Sequence, residues 1–259
     1  MNERSATVGD LEIRYIERSG ENGNLLILHG WCHSKERWLS VLPLLDKKYR
    51  IILPDLPGFG NSGKPEIEYS LDYYSKVIQS FCVEIGIDIP AAVIAGHSLG
   101  GDIALSISRE NEIGKLILVS TPLLPVWQGT VAKRLGLFSR LVFGVVRKNE
   151  FLKRQAARFT VADPKYIDRL MLEDPEKPTV SSAISALKNL ADVDFTGDVN
   201  SSNRDILCIH GEKDKIVSFK QYRHLHPRVK VLSIPGVGHS PFLENPELFA
   251  EKVNIFLGK

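Results

Sequence analysis

Ala91-Ala92-Val93-Ile94-Ala95-Gly96-His97-Ser98-Leu99-Gly100-Gly101-Asp102-Ile103-Ala104-Leu105-Ser106-Ile107 passes from an apolar run through a glycine-rich turn into a helical pattern. Read locally, it is a buried strand, a sharp turn and a helix. Gly96-His97-Ser98-Leu99-Gly100 is a Gly-x-Ser-x-Gly motif at the turn. Glycines suit such a turn because larger side chains would collide with the strand or the helix, and the serine hydroxyl is then held out in front of the sheet. The local alternative is a serine that only caps the helix after it. The rest of the chain decides between the two readings.

Outward from this stretch, short apolar runs alternate with helical patterns. Leu11 to Ile16 alternates apolar and polar like a half-exposed strand. Leu25-Leu26-Ile27-Leu28, Ile51-Ile52-Leu53, Leu116-Ile117-Leu118-Val119 and Ile206-Leu207-Cys208-Ile209 are continuous apolar runs, with Val229 to Ile234 a weaker last member. Strands buried on both faces read this way. Ser70 to Ile85 reads as a helix capped by Ser70 and ended by Gly86, and Pro246 to Leu257 as a last helix opened by Pro246. Strands alternating with helices predict an α/β fold built on a mostly parallel sheet flanked by helices.

One region breaks the rhythm. Residues 122–203 contain no strand-like run, and Thr130 to Val146, Glu150 to Thr160, Pro164 to Leu172 and Thr179 to Leu190 read as amphipathic helices. The expected organisation is therefore a core in two parts, 1–121 and 204–259, with a helical cap inserted at 122–203 over the strand ends. Ordinary crossover helices are the alternative.

The chain has 259 residues, a net charge of +2, 43% hydrophobic and 25% charged residues, enough for one large soluble domain. That charge argues for neither a nucleic acid nor an anionic membrane as partner. Met1 to Thr7 is polar, without the apolar stretch of a secretion signal, and no run is long enough for a membrane span. Cys32, Cys82 and Cys208 are scattered and lack metal-ligand spacing, so a reducing cytoplasm is expected. His224 and His226 have no carboxylate or cysteine pattern around them, and no metal site is expected.

A serine hydroxyl needs a base to take its proton, and the base needs a group that fixes its tautomer. Asp214, in Gly211-Glu212-Lys213-Asp214, follows the run ending at Ile209-His210. His239, in Gly236-Val237-Gly238-His239-Ser240, follows the run ending at Ile234. In a parallel sheet both loops lie on the edge that carries Ser98. Asp214 could instead be a turn residue, and Glu212, Asp192 and Asp194 compete for its role. His210 reads as packing. For the oxyanion, His29-Gly30-Trp31 follows the strand at 25–28, so the backbone N–H of Trp31 and that of Leu99 are candidate donors. The Trp31 side chain would help wall the acyl pocket. Asp55-Leu56-Pro57-Gly58-Phe59-Gly60-Asn61-Ser62 reads as a structural turn.

Together His29-Gly30-Trp31, Asp55 to Ser62, Gly96 to Gly101, Gly211 to Asp214 and Gly238-His239 resemble the α/β-hydrolase superfamily over nearly the whole chain. Within it, the chain resembles the small bacterial carboxylesterases of the pimeloyl-acyl-carrier-protein methyl ester esterase type. The resemblance implies a serine esterase with a Ser98-His239-Asp214 triad and no cofactor, acting on a small ester. Carbon–carbon bond hydrolysis and lactone opening run on the same apparatus. A hydrolase-fold protein that only binds a ligand is the alternative from another class. Lys133, Arg134, Arg140, Arg147, Lys148, Lys153, Arg154 and Arg158 fall in a stretch with Glu150 as its only acid. This is either a solvated helical face or a docking surface for an acidic acyl carrier protein.

Overall fold

The computed structural model describes residues 2–126, 143–146, 148–172, 178–190 and 193–258. Eight strands form one sheet: β1 (Asn2–Val8), β2 (Leu11–Arg18), β3 (Asn24–Leu28), β4 (Arg50–Pro54), β5 (Val93–His97), β6 (Lys115–Val119), β7 (Asp205–Gly211) and β8 (Lys230–Ile234). Their order is β1-β2-β4-β3-β5-β6-β7-β8. Every pair from β4 to β8 is parallel, while β1 and β2 join antiparallel at one edge.

The apolar runs are continuous because consecutive side chains enter opposite faces and both faces are covered. Leu26, Leu28, Ile52, Ile94, Leu116, Leu118 and Cys208 face one core. Tyr74, Ile78 and Phe81 of α1 (Leu71–Glu84) and Ile103 and Ile107 of α2 (Leu99–Glu110) close it. Leu25, Ile27, Ile51, Leu53, Val93, Ala95, Ile117 and Ile209 face the other core, against Trp38, Leu42 and Phe249. α1 starts where Ser70 Oγ accepts the Tyr73 N–H, as its capping position predicts.

β1 is an addition to the sequence reading. Its residues are mostly exposed, so no apolar pattern marks it, and it forms by pairing with β2 from Asn2–Glu17 to Val8–Leu11.

Between β6 and β7 the described residues contain no strand. They form α3 (Glu150–Ala157), α4 (Ile167–Leu172), α5 (Val180–Asn189) and α6 (Thr196–Ser201). The expected helix at Pro164 begins as a 3-10 turn, Pro164–Tyr166, with Pro164 in its first position. Most of the helix expected over Thr130 to Val146 lies outside the described residues. After β8 come the short α7 (Pro241–Glu244) and α8 (Pro246–Leu257), the latter with the expected bounds. Among the described residues no helix is long and apolar enough to cross a membrane.

Candidate active site

β5 ends at His97, and Ser98 links it to α2 with φ 50° and ψ −119°. A non-glycine residue in this region is under backbone strain. The surroundings hold it there. The Ser98 N–H donates to Val119 O at 2.9 Å. A Cβ on Gly96 would lie 2.2 Å from Gly100 O, and one on Gly100 would lie 2.5 Å from Leu28 O. The flanking glycines are therefore obligatory for close backbone approach. The Ser98 side chain makes no capping hydrogen bond. Ser98 thus occupies the N-cap position of α2 through its backbone, and its side chain does not cap the helix.

Asp214 sits three residues past β7 with its side chain fully buried. Its Oδ1 accepts from Ile216 N at 2.8 Å and Val217 N at 3.0 Å, and its Oδ2 from His239 Nδ1 at 2.8 Å. Burial opposes ionisation. The charge and hydrogen bond of His239, His210 and the Val217 N–H outweigh it and hold the carboxyl below its usual range. The competing acids are elsewhere. Glu212 accepts from Gly236 N at 2.9 Å, Asp194 from Thr196 N at 3.1 Å, and Asp192 lies outside the described residues.

The His239 backbone is fixed on both sides. Its N–H donates to Thr160 O at 3.0 Å, and its carbonyl lies 2.9 Å from His97 Nε2. Burial, with the charge of His239 next, pushes His97 well below the usual histidine range, so its ring is neutral and Nε2–H donates. His97 stacks on His33 with ring centres 5.4 Å apart. Glu244 joins this loop to the inserted segment: Oε1 accepts from Gly238 N at 2.7 Å, and Oε2 from Ala162 N at 2.7 Å and Asp163 N at 3.2 Å.

Ser98, His239, His97 and Trp31 line one cavity of about 550 Å3, with Phe159, Leu187 and Ile216 among its apolar walls. The Trp31 N–H donates to no described residue. Leu99 opens α2, where the first N–H groups have no intrahelical acceptor. The Trp31 indole donates to Ala183 O of α5 at 2.6 Å, tying the turn after β3 to the inserted helices. All five residues expected at the site from sequence thus gather at the carboxyl ends of β3, β5, β7 and β8.

The Asp55 turn is a structural knot. Asp55 binds Lys35 Nζ at 2.8 Å and the N–H groups of Lys35 and Asn61, each at 2.8 Å, with both charged side chains fully buried.

Residues 25–252 match the model of the alpha/beta hydrolase family. The chain belongs to that family. This alpha/beta hydrolase is 29% identical to the pimeloyl-[acyl-carrier protein] methyl ester esterase of Aeromonas hydrophila, over 94% of this chain and 98% of the relative. It is 30% identical to the protein of the same name from Aeromonas salmonicida, with the same coverage. Among solved structures, a thermophilic esterase from Thermogutta terrifontis superposes with a TM-score of 0.83 at 22% identity, over 100% of this chain and 98% of the other.

Three residues of this hydrolase escaped the sequence reading. His33 and Glu244 carry no motif, although an acid closing the apolar Pro241-Phe242-Leu243 is a faint signal. His210, read as packing, does pack against the rings of Phe219 and Tyr222, but its Nε2 also lies 3.7 Å from Asp214 Oδ2.

Proposed function

We propose that this hydrolase cleaves carboxylic esters through an acyl-enzyme formed on Ser98. The observation that carries the reading is the 2.8 Å bond from His239 Nδ1 to Asp214 Oδ2, with His239 and Ser98 lining one apolar cavity. Asp214 fixes the tautomer with Nδ1 protonated, which leaves Nε2 as a base.

In this mechanism Ser98 Oγ bonds to the acyl carbon while its proton passes to His239 Nε2. The carbonyl electrons move to oxygen, where the Trp31 and Leu99 N–H groups donate to the developing charge. Collapse breaks the bond to the alcohol, which leaves with the proton from Nε2. Water then adds to the acyl carbon and gives a proton to Nε2. The second collapse releases the acid, and Oγ regains its proton. The sequence of steps needs no cofactor.

Residues 122–203 are proposed to act as a cap that shapes the acyl pocket. The Trp31–Ala183 bond and the presence of Phe159 and Leu187 in the cavity wall support this. The relatives' names and the basic run in this segment support an acidic acyl carrier protein as bearer of the ester. The three cysteines are free, which suits the cytoplasm.

A fluorophosphonate probe and p-nitrophenyl esters of graded chain length test the reading. Wild type is labelled at Ser98 and turns over the esters; Ser98→Ala does neither. A folded wild type that takes no label is the outcome of a protein that only binds its ligand. Labelling with no activity on any ester points to carbon–carbon or lactone cleavage.

A further inference from the structure

The cavity holding Ser98 and His239 is walled largely by apolar side chains and, among the described residues, carries one cation, Lys215. Lys215 also lines a second cavity of about 270 Å3, whose other lining residues include Arg158, Val161, Pro164 and Ile167. Among the described residues no acid lines either cavity. Lys215 and Arg158 thus stand at a chamber that adjoins the reactive one through a shared residue.

The nearby carboxylates are engaged elsewhere. Asp214 is saturated by His239, Ile216 and Val217. Asp163 pairs with Lys165 at 2.9 Å, and Glu244 accepts three backbone N–H groups. The basic run itself divides. Arg154 pairs with Asp168 at 2.7 Å and with Glu150 at 3.6 Å, and Lys153 lies 3.9 Å from Glu150. Among the described residues Arg158 and Lys215 make no ion pair or side-chain hydrogen bond. Two solvent-exposed cations from separate elements, without an ion-pair partner among the described residues, line an otherwise apolar chamber and favour an anion over a neutral group, an attraction that salt screens.

The geometry points to an anion subsite: Lys215 and Arg158 receive a carboxylate or phosphate at the far end of an ester whose reacting carbonyl meets Ser98. This inference rests on the esterase reading for the position of the scissile bond. It extends that reading by naming the substrate class, esters that carry a negative charge away from the bond to be cleaved.

Two measurements on the full chain test it. The first compares kcat/KM for p-nitrophenyl octanoate with that for mono-p-nitrophenyl octanedioate, which differ by one carboxylate. Wild type should favour the charged ester about tenfold at low salt, with the preference shrinking as salt rises. In Arg158→Gln with Lys215→Gln the ratio should approach one. A structural role would lower both rates together and leave the ratio, and that outcome overturns the subsite.

The second measurement is independent of turnover. Calorimetry compares the binding of octanamide, octanedioic acid monoamide and 8-phosphonooxyoctanamide to wild type and the double variant. Either anion should bind wild type about tenfold more tightly than octanamide and lose that advantage in the variant. Whichever anion gains more identifies the group. Equal binding of all three overturns the subsite even if esters are hydrolysed. If the esters are inert while the anion preference remains, the esterase reading fails and the subsite stands.

Discussion

His210 Nε2 lies 3.7 Å from Asp214 Oδ2, the same oxygen that accepts the Nδ1–H of His239. One carboxylate thus faces two imidazoles. Burial pushes His210 below the usual histidine range, so near neutral pH it is an uncharged dipole beside the acid. Its removal leaves Asp214 a fuller charge toward His239. Protonated His239 is then better stabilised, and the acid limb of kcat/KM moves up. For His210→Asn we expect an upward shift on the order of 0.5 pH unit with the kcat plateau retained. A limb that stays in place would show that His210 only packs against Phe219 and Tyr222, and one that moves down would show that its ring strengthens the field of Asp214 instead of weakening it.

Ser98, the proposed nucleophile, holds a strained backbone with φ at 50°. Ser98→Ala removes the hydroxyl but keeps the Cβ in the unfavourable region. Ser98→Gly removes both. The two variants should be equally inactive, yet the glycine form should be more stable than the alanine form by about 1 kcal/mol. Urea unfolding measures the difference. If alanine is the more stable of the two, the strain is not stored at this residue.

The parts of the fold legible in the sequence are those whose burial is two-sided. The runs at 25–28, 51–53, 93–95, 116–119 and 206–209 are apolar throughout because helices cover both faces, and each became a strand. β1 was invisible for the opposite reason: its side chains are mostly solvated, and only pairing with β2 makes it a strand. Ser98, Asp214 and His239 were legible because each follows a recognisable strand, so the edge they share could be inferred. The supports of His239 were not. Thr160 and Glu244 reach it through contacts set by the three-dimensional path of the inserted segment. His210 carries both roles in one side chain, and a histidine at a strand end reads identically for packing and for electrostatics. The basic run could not be divided in sequence either, because pairing depends on where α3 places each cation relative to Glu150 and Asp168.

Asp102 lies in the first turn of α2, where the helix dipole favours an anion. Burial opposes this and wins. The side chain is fully buried, neither carboxyl oxygen has a hydrogen-bond partner among the described residues, and the carboxyl is pushed well above its usual range. The folded chain therefore keeps a proton that the unfolded chain loses near pH 4. The contribution of protonated Asp102 is complete below that pH and is lost as pH rises toward the folded-state value. Asp102→Asn does not titrate. Between pH 5 and pH 8 its unfolding free energy should gain on wild type as long as the folded Asp102 carboxyl keeps its proton, by up to about 1.4 kcal/mol per pH unit. A difference between the two proteins that is constant across that range would place an ionised Asp102 in the folded chain.

Glu244 joins the His239 loop to the segment after α3. Its carboxylate holds the N–H groups of Gly238, Ala162 and Asp163, and the Tyr166 hydroxyl donates to its carbonyl oxygen at 2.8 Å. Glu244→Ala leaves the first three donors without an acceptor. Each unsatisfied buried donor costs about 1–3 kcal/mol, so the loss should be at least about 2 kcal/mol even if water reaches some of them. Glu244→Gln keeps the shape but one acceptor oxygen becomes an amide donor, so it should fall between wild type and alanine. Gly238 precedes His239 directly, and a loosened loop would misplace the proposed base by distances that matter to proton transfer. The alanine form should therefore lose kcat more than it raises KM, while the Ser98 label still forms slowly. Thermal melting and steady-state kinetics on one ester read both effects. A Glu244→Ala protein with wild-type melting and kcat would mean that the His97 and Thr160 hydrogen bonds alone suffice to hold His239 in place.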